Sequence, residues 1–596
     1  MKNLTNYLRG VLDNESVKDN EVELEKSRDG KCIFKVNYDG KFKYIGSRYS
    51  VKRDIDNFLF KVGNIEIDSL IIVFGLGTGE HILSLIDKLK EFNKLLIVEP
   101  DKRILKSFLK LTYAETILKD KKISIIVFEE YNIRYYINNF IKHESNYNNT
   151  RLICYSNYDK LYPKEYLYFL NSLKNVLSVY EGNVITGYVL GKKFMQCYLD
   201  NIKSIYSSYI VNDFKSKFNG YTAIIVSAGP SLEKNIDELK NLNDNAIIIC
   251  GNRTLKPLLE RGIIPHFMCA VDCNDIVYDM CKDYLKSKIP LVFLETTNSK
   301  LVINQKGYRI FSKYAYLKST SIEKIFEKKI DSLYTGGSVA HISMDFARYI
   351  GCTSIIFIGQ DLAYTDNKVH ADTAEIAEDN KKIDDKSLIQ VDGINGGKVY
   401  TIRSLGRFID AFEEYINYVG DSIKFINATE GGAFIKGTEV STLKDAISKY
   451  AVKSGVKNIM DNLFKEKPQR DPTKIYEYLK FILRGLIDLK NRIEIVKDNV
   501  ISAMVTCKLS DMKYVYKKIS KLNEEIEDNE FLDFIDLLIS DVMNKSSVYF
   551  RYDESKNETQ NLKNMLNAFE KLYRDIIDTI DYVVPKIEIA IHEYKV

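Results

Sequence analysis

The apolar run Ala223–Val226 opens at once into Ser227-Ala228-Gly229-Pro230-Ser231. That pattern predicts a buried strand followed by a helix starting near Pro230. The first N–H groups of a helix have no partner within it and carry the positive end of its dipole. Gly229 lets a ligand approach the backbone and Ser231 adds a hydroxyl, so the turn outlines an anion site. A well-capped helix with nothing bound fits the same residues. A second run, Ala246–Ile249, ends in Gly251-Asn252. The Asn252 amide offers a donor and an acceptor, which suits a base edge or a ribose, and Asn is also an ordinary turn residue.

Two further stretches carry groups of the same kind. Thr335-Gly336-Gly337-Ser338 precedes an amphipathic segment. It is a second donor-rich helix start, suited to a carboxylate or phosphate. His341 falls inside that helix, where a structural role is expected. The apolar run Ser354–Ile358 then leads into Gly359-Gln360-Asp361 and a polar loop holding Tyr364 and His370. Loops after strand ends are where catalytic groups gather, and His is the side chain best placed to act as a base near neutrality. A strand ending at Ile426 opens into Asn427, Thr429, Glu430, Gly431 and Gly432, another loop for the same crevice.

Two motifs invite competing readings. Gly75, Gly77 and Gly79 follow an apolar run, and Glu99 stands twenty positions after the last of them. Either Glu99 holds a ribose hydroxyl, as in nucleotide or methyl-donor folds, or the glycines let helix and strand pack closely. Asp272-Cys273-Asn274-Asp275 has the acidic character of a site for Mg²⁺ or Mn²⁺. Asp272 equally suits a ribose or acceptor contact.

These residues need a scaffold that collects strand ends. Ala223–Val226, Ala246–Ile249, Phe267–Val271, Leu291–Leu294 and Ser354–Ile358 alternate with amphipathic segments. The expected fold is α/β, with a Rossmann-like, mostly parallel sheet in a central domain over residues 205–445. Such sheets bind ligands beyond the carboxyl ends of their strands. An α/β N-terminal domain is expected over residues 1–204. An all-helical C-terminal domain is expected over 446–596, where Ile475, Leu479, Ile482, Leu486, Leu489, Ile493 and Val496 form one stripe after the helix-start signal Asp471-Pro472. The chain has 596 residues and a net charge of only +4. That balance does not point to a nucleic-acid partner. The N-terminal segment lacks the apolar core of a signal peptide and no run is long enough to span a bilayer. Nine scattered Cys form no disulfide framework and no zinc pattern. A cytoplasmic protein with no membrane partner and no metal ligands is expected.

Taken together, "SRYSVKRDI", "SAGPSL", "TGGSVA", "GQDLAY" and "NATEGGA" resemble the motility accessory factor (Maf) family of flagellin glycosyltransferases. The core also resembles an archaeal pterin pyrophosphorylating enzyme and, more distantly, bacterial sialyltransferases. The sialyltransferase likeness implies that Gly229, Pro230, Ser231, Asn252, Thr335, Gly336, Gly337 and Ser338 hold a CMP-linked sugar acid. Asp272, Gln360 and Asp361 join this donor set. The usual Asn before Gly-Pro-Ser is here Ala228, so part of the nucleotide contact differs. The resemblance implies transfer of a nonulosonic acid, of pseudaminic or legionaminic type, from CMP to Ser or Thr of flagellin. His370 would act as base and Tyr364 would assist the leaving phosphate, with inversion. The CMP-sugar is the donor substrate, and no separate cofactor is required. The rival readings are an ATP-dependent pyrophosphokinase acting on a small heterocycle and a non-catalytic flagellin-binding chaperone.

Overall fold

The computed structural model describes residues 21–593 except 39, 66–68, 91–92, 131–132, 142–148, 243, 315–320, 366–367, 369, 375–387, 528, 547–548 and 551–555. The N-terminal segment expected to carry no signal peptide lies outside the described residues. The chain forms two compact units.

One unit comprises Met1–Val189, Arg492–Asn523 and Ile539–Asp578. Its centre is a four-stranded parallel sheet in the order Ile123–Val127, Lys94–Glu99, Leu70–Phe74, Thr150–Cys154. Apart from Lys94 and Glu99 at the two ends of one of them, the two middle strands are runs of Leu, Ile, Val and Phe that are buried throughout, as a parallel strand covered on both faces must be. An antiparallel three-stranded sheet, Val22–Lys26, Cys32–Tyr38 and Lys41–Tyr44, precedes it. Helix Val51–Val62 starts where the Ser50 side chain accepts from the Arg53 amide.

The other unit comprises Leu190–Asn491, Glu524–Leu538 and Thr579–Val596. It is built on a nine-stranded sheet. The order is Glu439–Val440, Lys424–Asn427, Ser354–Ile358, Thr222–Val226, Ala246–Gly251, Phe267–Ala270, Leu291–Phe293, Arg309–Phe311, Tyr209–Ile210. Every neighbouring pair is parallel. The chain builds outward from Thr222–Val226 on one side, then returns to place Ser354–Ile358 on its other side. The strand order therefore reverses between these two strands, the place where open parallel sheets bind their ligands beyond the carboxyl ends. All five predicted central strands are present, shifted by no more than two residues at either end. Helix Val339–Tyr349 lies against the sheet with most of its residues buried. The antiparallel hairpin Leu388–Asp392/Lys398–Ile402 and helix Arg403–Val419 intervene before Lys424–Asn427.

From Leu443 onward the described elements are helices, including Thr473–Thr506, Leu509–Glu527 and Glu558–Glu593. The Asp471 carboxylate accepts from the Thr473 amide at 3.0 Å, so this helix begins where the sequence signals it. Every member of the predicted stripe except Val496 is buried. Among the described residues, no helix is long and apolar enough to cross a membrane.

Candidate functional site

The crevice at the strand-order reversal is lined by three knitted loops. The turn Ser227–Ser231 leaves the Thr222–Val226 strand. Asp361, at the end of Ser354–Ile358, reaches across to it. Its carboxylate accepts from Ser231 Oγ at 2.7 Å, from the Ser231 amide at 3.2 Å and from Thr365 Oγ1 at 2.6 Å. A Cβ on Gly229 would collide with Asp361 Oδ1 and the Gly359 carbonyl, so only glycine fits there. Ser227 Oγ donates to Gln360 Oε1 at 2.5 Å, and the Gln360 amide donates to Thr429 Oγ1 at 3.2 Å. The third loop thereby joins the other two.

This geometry changes the role expected for Ser231. The helix after Pro230 is only Leu232–Asn235, Ser231 is fully buried, and both of its donors belong to Asp361. The protein's own carboxylate occupies the place foreseen for a ligand anion. Burial raises the Asp361 pKa, while Thr365 and Ser231 oppose that shift by donating to the carboxylate. Gly229, Pro230, Ser231 and Asp361 thus fix the floor of the crevice.

The second helix start differs. Ser338 ends the Thr335–Ser338 turn, and Gly336 and Gly337 adopt φ of 47° and 87°, the left-handed region that glycine tolerates. Helix Val339–Tyr349 has no side-chain cap, and the Val339 and Ala340 amides find no acceptor among the described residues. A Cβ on Gly251 would come 3.2 Å from Val339 Cγ1, so this helix start stands beside Gly251-Asn252. Thr335 is buried, and its Oγ1 has no partner among the described residues. Asn252 Nδ2 makes its contact with Met280 Sδ at 3.3 Å.

Asp272 follows the neighbouring strand Phe267–Ala270. Its side chain is exposed, yet desolvation raises its carboxyl pKa, and no side-chain partner is present among the described residues. Asp275 is committed elsewhere, to Asn298 Nδ2 and Lys300 Nζ, each at 2.9 Å. Among the described residues no group of three or more His, Cys, Asp or Glu side chains is arranged to hold a metal ion.

Tyr364 and His370 belong to the loop after Asp361. The Ala371 amide donates to the Ala228 carbonyl at 2.8 Å, which seats the His370 backbone on the Gly-Pro-Ser turn. The Tyr364 amide donates to Tyr400 O at 2.9 Å, and burial pushes its phenol pKa up. Sequence reasoning missed Ser227, Thr365 and Thr373. Thr373 Oγ1 bonds Glu233 on the short helix and so pins the His370 segment a second time.

The Gly75–Gly79 turn is settled in favour of packing. A Cβ on Gly75 would overlap the Tyr158 ring. The Tyr158 hydroxyl accepts from the Gly77 amide at 2.8 Å and donates to Glu99 Oε2 at 2.7 Å. Glu99, fully buried, also accepts from the Leu76 and Asp101 amides, each at 2.9 Å. The acid expected to read a ribose is consumed inside the protein.

Comparisons with known proteins agree with this architecture. Residues 196–367 match the family model described as 6-hydroxymethylpterin diphosphokinase MptE-like. No curated protein matches the sequence. Among solved structures, the MAf glycosyltransferase from Magnetospirillum magneticum AMB-1 aligns with a TM-score of 0.58 at 16% identity. The alignment covers 98% of this chain and 95% of that one. The core of this protein therefore resembles the MptE-like domain, and the whole chain shares the fold of a MAf glycosyltransferase, as its motifs lead one to expect.

Proposed function

We propose that this protein is a glycosyltransferase that moves a nonulosonic acid, of pseudaminic or legionaminic type, from a CMP-activated donor onto Ser or Thr of flagellin in the cytoplasm. The observation that carries the reading is the whole-length fold likeness to a MAf glycosyltransferase, with its polar loops gathered where the strand order reverses.

In this reading the donor lies across Asn252, Asp272 and the start of helix Val339–Tyr349. The unpaired Val339 and Ala340 amides face the anionic part of the donor, and they need no reorganisation as charge develops. The acceptor hydroxyl attacks the anomeric carbon from the face opposite the phosphate. The carbon–oxygen bond to CMP breaks, and its electron pair leaves with the phosphate oxygen. His370 takes the hydroxyl proton, and Tyr364 donates a hydrogen bond to the departing phosphate. Configuration inverts in this single displacement, and CMP is released.

Intact-mass measurement of flagellin co-expressed with the protein and a CMP-nonulosonic acid pathway tests the proposal. A mass increment equal to the sugar, dependent on the protein, is the expected result. The family description of residues 196–367 favours one second reading, an ATP-dependent diphosphokinase. That reaction releases AMP, whereas transfer from the sugar nucleotide releases CMP. Chromatography of the nucleotide product separates the two.

A further inference from the structure

Ser338 is half-buried at the start of helix Val339–Tyr349, and its hydroxyl is not free to choose a partner. Ser338 Oγ lies 3.0 Å from His341 Nδ1, and His341 Nε2 lies 3.2 Å from the Phe408 carbonyl. A carbonyl oxygen only accepts, so Nε2 carries the imidazole proton. The ring is fully buried, and desolvation pushes its pKa down to about 3, so it is neutral. A neutral ring protonated at Nε2 has an acceptor at Nδ1. Among the described residues, the hydrogen that meets it is that of the Ser338 hydroxyl.

The surroundings hold this arrangement in place. A Cβ on Gly336 would overlap the imidazole, so the left-handed glycine turn is built around the ring. Phe412 packs on it with ring centroids 4.1 Å apart. Below it, Asp345 Oδ2 accepts from the Tyr334 amide at 2.8 Å and anchors the entry to the turn.

From this geometry we infer that Ser338 is an acceptor-only subsite: it takes an N–H or O–H group of the bound ligand and not its phosphate or carboxylate. An ionised phosphate or carboxylate oxygen has no hydrogen to offer, and the Ser338 hydrogen is committed to His341. Anion recognition at this helix start falls to the Val339 and Ala340 amides instead. Resting on the proposed CMP-activated donor, the inference narrows the Ser338 ligand to an N–H or O–H of that donor; of these, CMP itself carries the cytosine amine and the ribose hydroxyls.

Nuclear magnetic resonance of protein carrying isotopically labelled histidine tests the geometry without any ligand. Ser338→Ala identifies the His341 signal among the six His as the one it shifts. Nδ1 is expected at the unprotonated position, unchanged across about pH 5 to 8. A protonated Nδ1, or titration in that window, overturns the inference. Calorimetry then reads the ligand. Ser338→Ala is expected to weaken CMP binding about three- to tenfold and to leave inorganic phosphate binding unchanged. Equal weakening of both overturns the inference. Loss of the Ser338→Ala effect with UMP assigns the contact to the amine, its loss with 2′-deoxy-CMP assigns it to the ribose 2′-hydroxyl, and its loss with 3′-deoxy-CMP assigns it to the 3′-hydroxyl. Failure of the wild-type protein to bind CMP removes the proposed donor. The direction of the Ser338 hydroxyl is decided separately by the imidazole signal.

Discussion

The Asp361 carboxylate accepts from both the hydroxyl and the amide of Ser231, at 2.7 and 3.2 Å, across the point where the strand order of the large sheet reverses. Two loops far apart in sequence are thereby locked at the floor of the crevice. Gly229 makes this closeness possible. Its φ is not in the left-handed region, so the demand at this position is for space and not for unusual backbone.

Gly229→Ala is expected to destabilise the protein by about 1–3 kcal/mol, the usual cost of overpacking a filled interior. Asp361→Ala removes one of the two obstructing groups but leaves the Gly359 carbonyl. The double variant is therefore expected to be less damaged than the sum of the single ones, with a coupling of at least about 0.5 kcal/mol in urea unfolding. Strict additivity would show that the two residues do not share the space described.

Glu99 gives a pH dependence of known sign. Burial raises its pKa from 4.5 to about 8, against the opposing hydrogen bonds from Tyr158 and the Asp101 and Leu76 amides. Between those values the folded chain holds a proton that the unfolded chain releases. Its contribution is complete below the unfolded pKa and is lost as pH rises towards about 8. The slope is roughly 1 kcal/mol per pH unit. Glu99→Gln is expected to flatten the fall in unfolding free energy between about pH 5 and 8. An unchanged slope in that variant would contradict the assignment.

The large sheet was readable because its central strands are short continuous apolar runs, as parallel strands buried on both faces are. The two-residue strands Tyr209–Ile210 and Glu439–Val440 were not, because so short a segment carries no periodicity. The polar strand ends were legible as a set. What each one touches was not: Asp361 reads equally well as a ligand contact or as the partner of Ser231. Only the return of Ser354–Ile358 to the side of Thr222–Val226 decides between them. The Gly75–Gly79 turn shows the same limit. Its spacing matches a ribose-binding motif, and the Tyr158 that fills it lies outside the motif altogether.

Asp272 and Asp275 predict the outcome of metal removal. The Asp275 carboxylate is occupied by Lys300 and Asn298, so the pair does not act as two free ligands. The donor proposed above has a single phosphate and needs no ion to bridge two phosphates. Transfer is expected to survive exhaustive EDTA treatment, with flagellin mass as the readout. Asp272→Asn is expected to weaken donor or acceptor binding with EDTA sensitivity unchanged. Complete loss of transfer in EDTA, restored by Mg²⁺ or Mn²⁺, would reverse this reading.

The seating of His370 on the Ala228 carbonyl, through Ala371, predicts how transfer fails when the loop loses its side chains. Removal of a general base costs about 10²- to 10⁴-fold in rate. His370→Ala is therefore expected to lower kcat within that range and to leave donor KM nearly unchanged, since the backbone bond that places the loop is retained. Tyr364 has a raised phenol pKa and so keeps its proton at neutral pH, as a hydrogen-bond donor to a leaving phosphate must. Tyr364→Phe is expected to lower kcat by about 10²-fold, comparable to losing one donor to a developing anion. In the proposed reaction the two roles act on opposite ends of one displacement. A donor with a better leaving group should then rescue Tyr364→Phe more than His370→Ala, and equal rescue of both would rule out this division of labour.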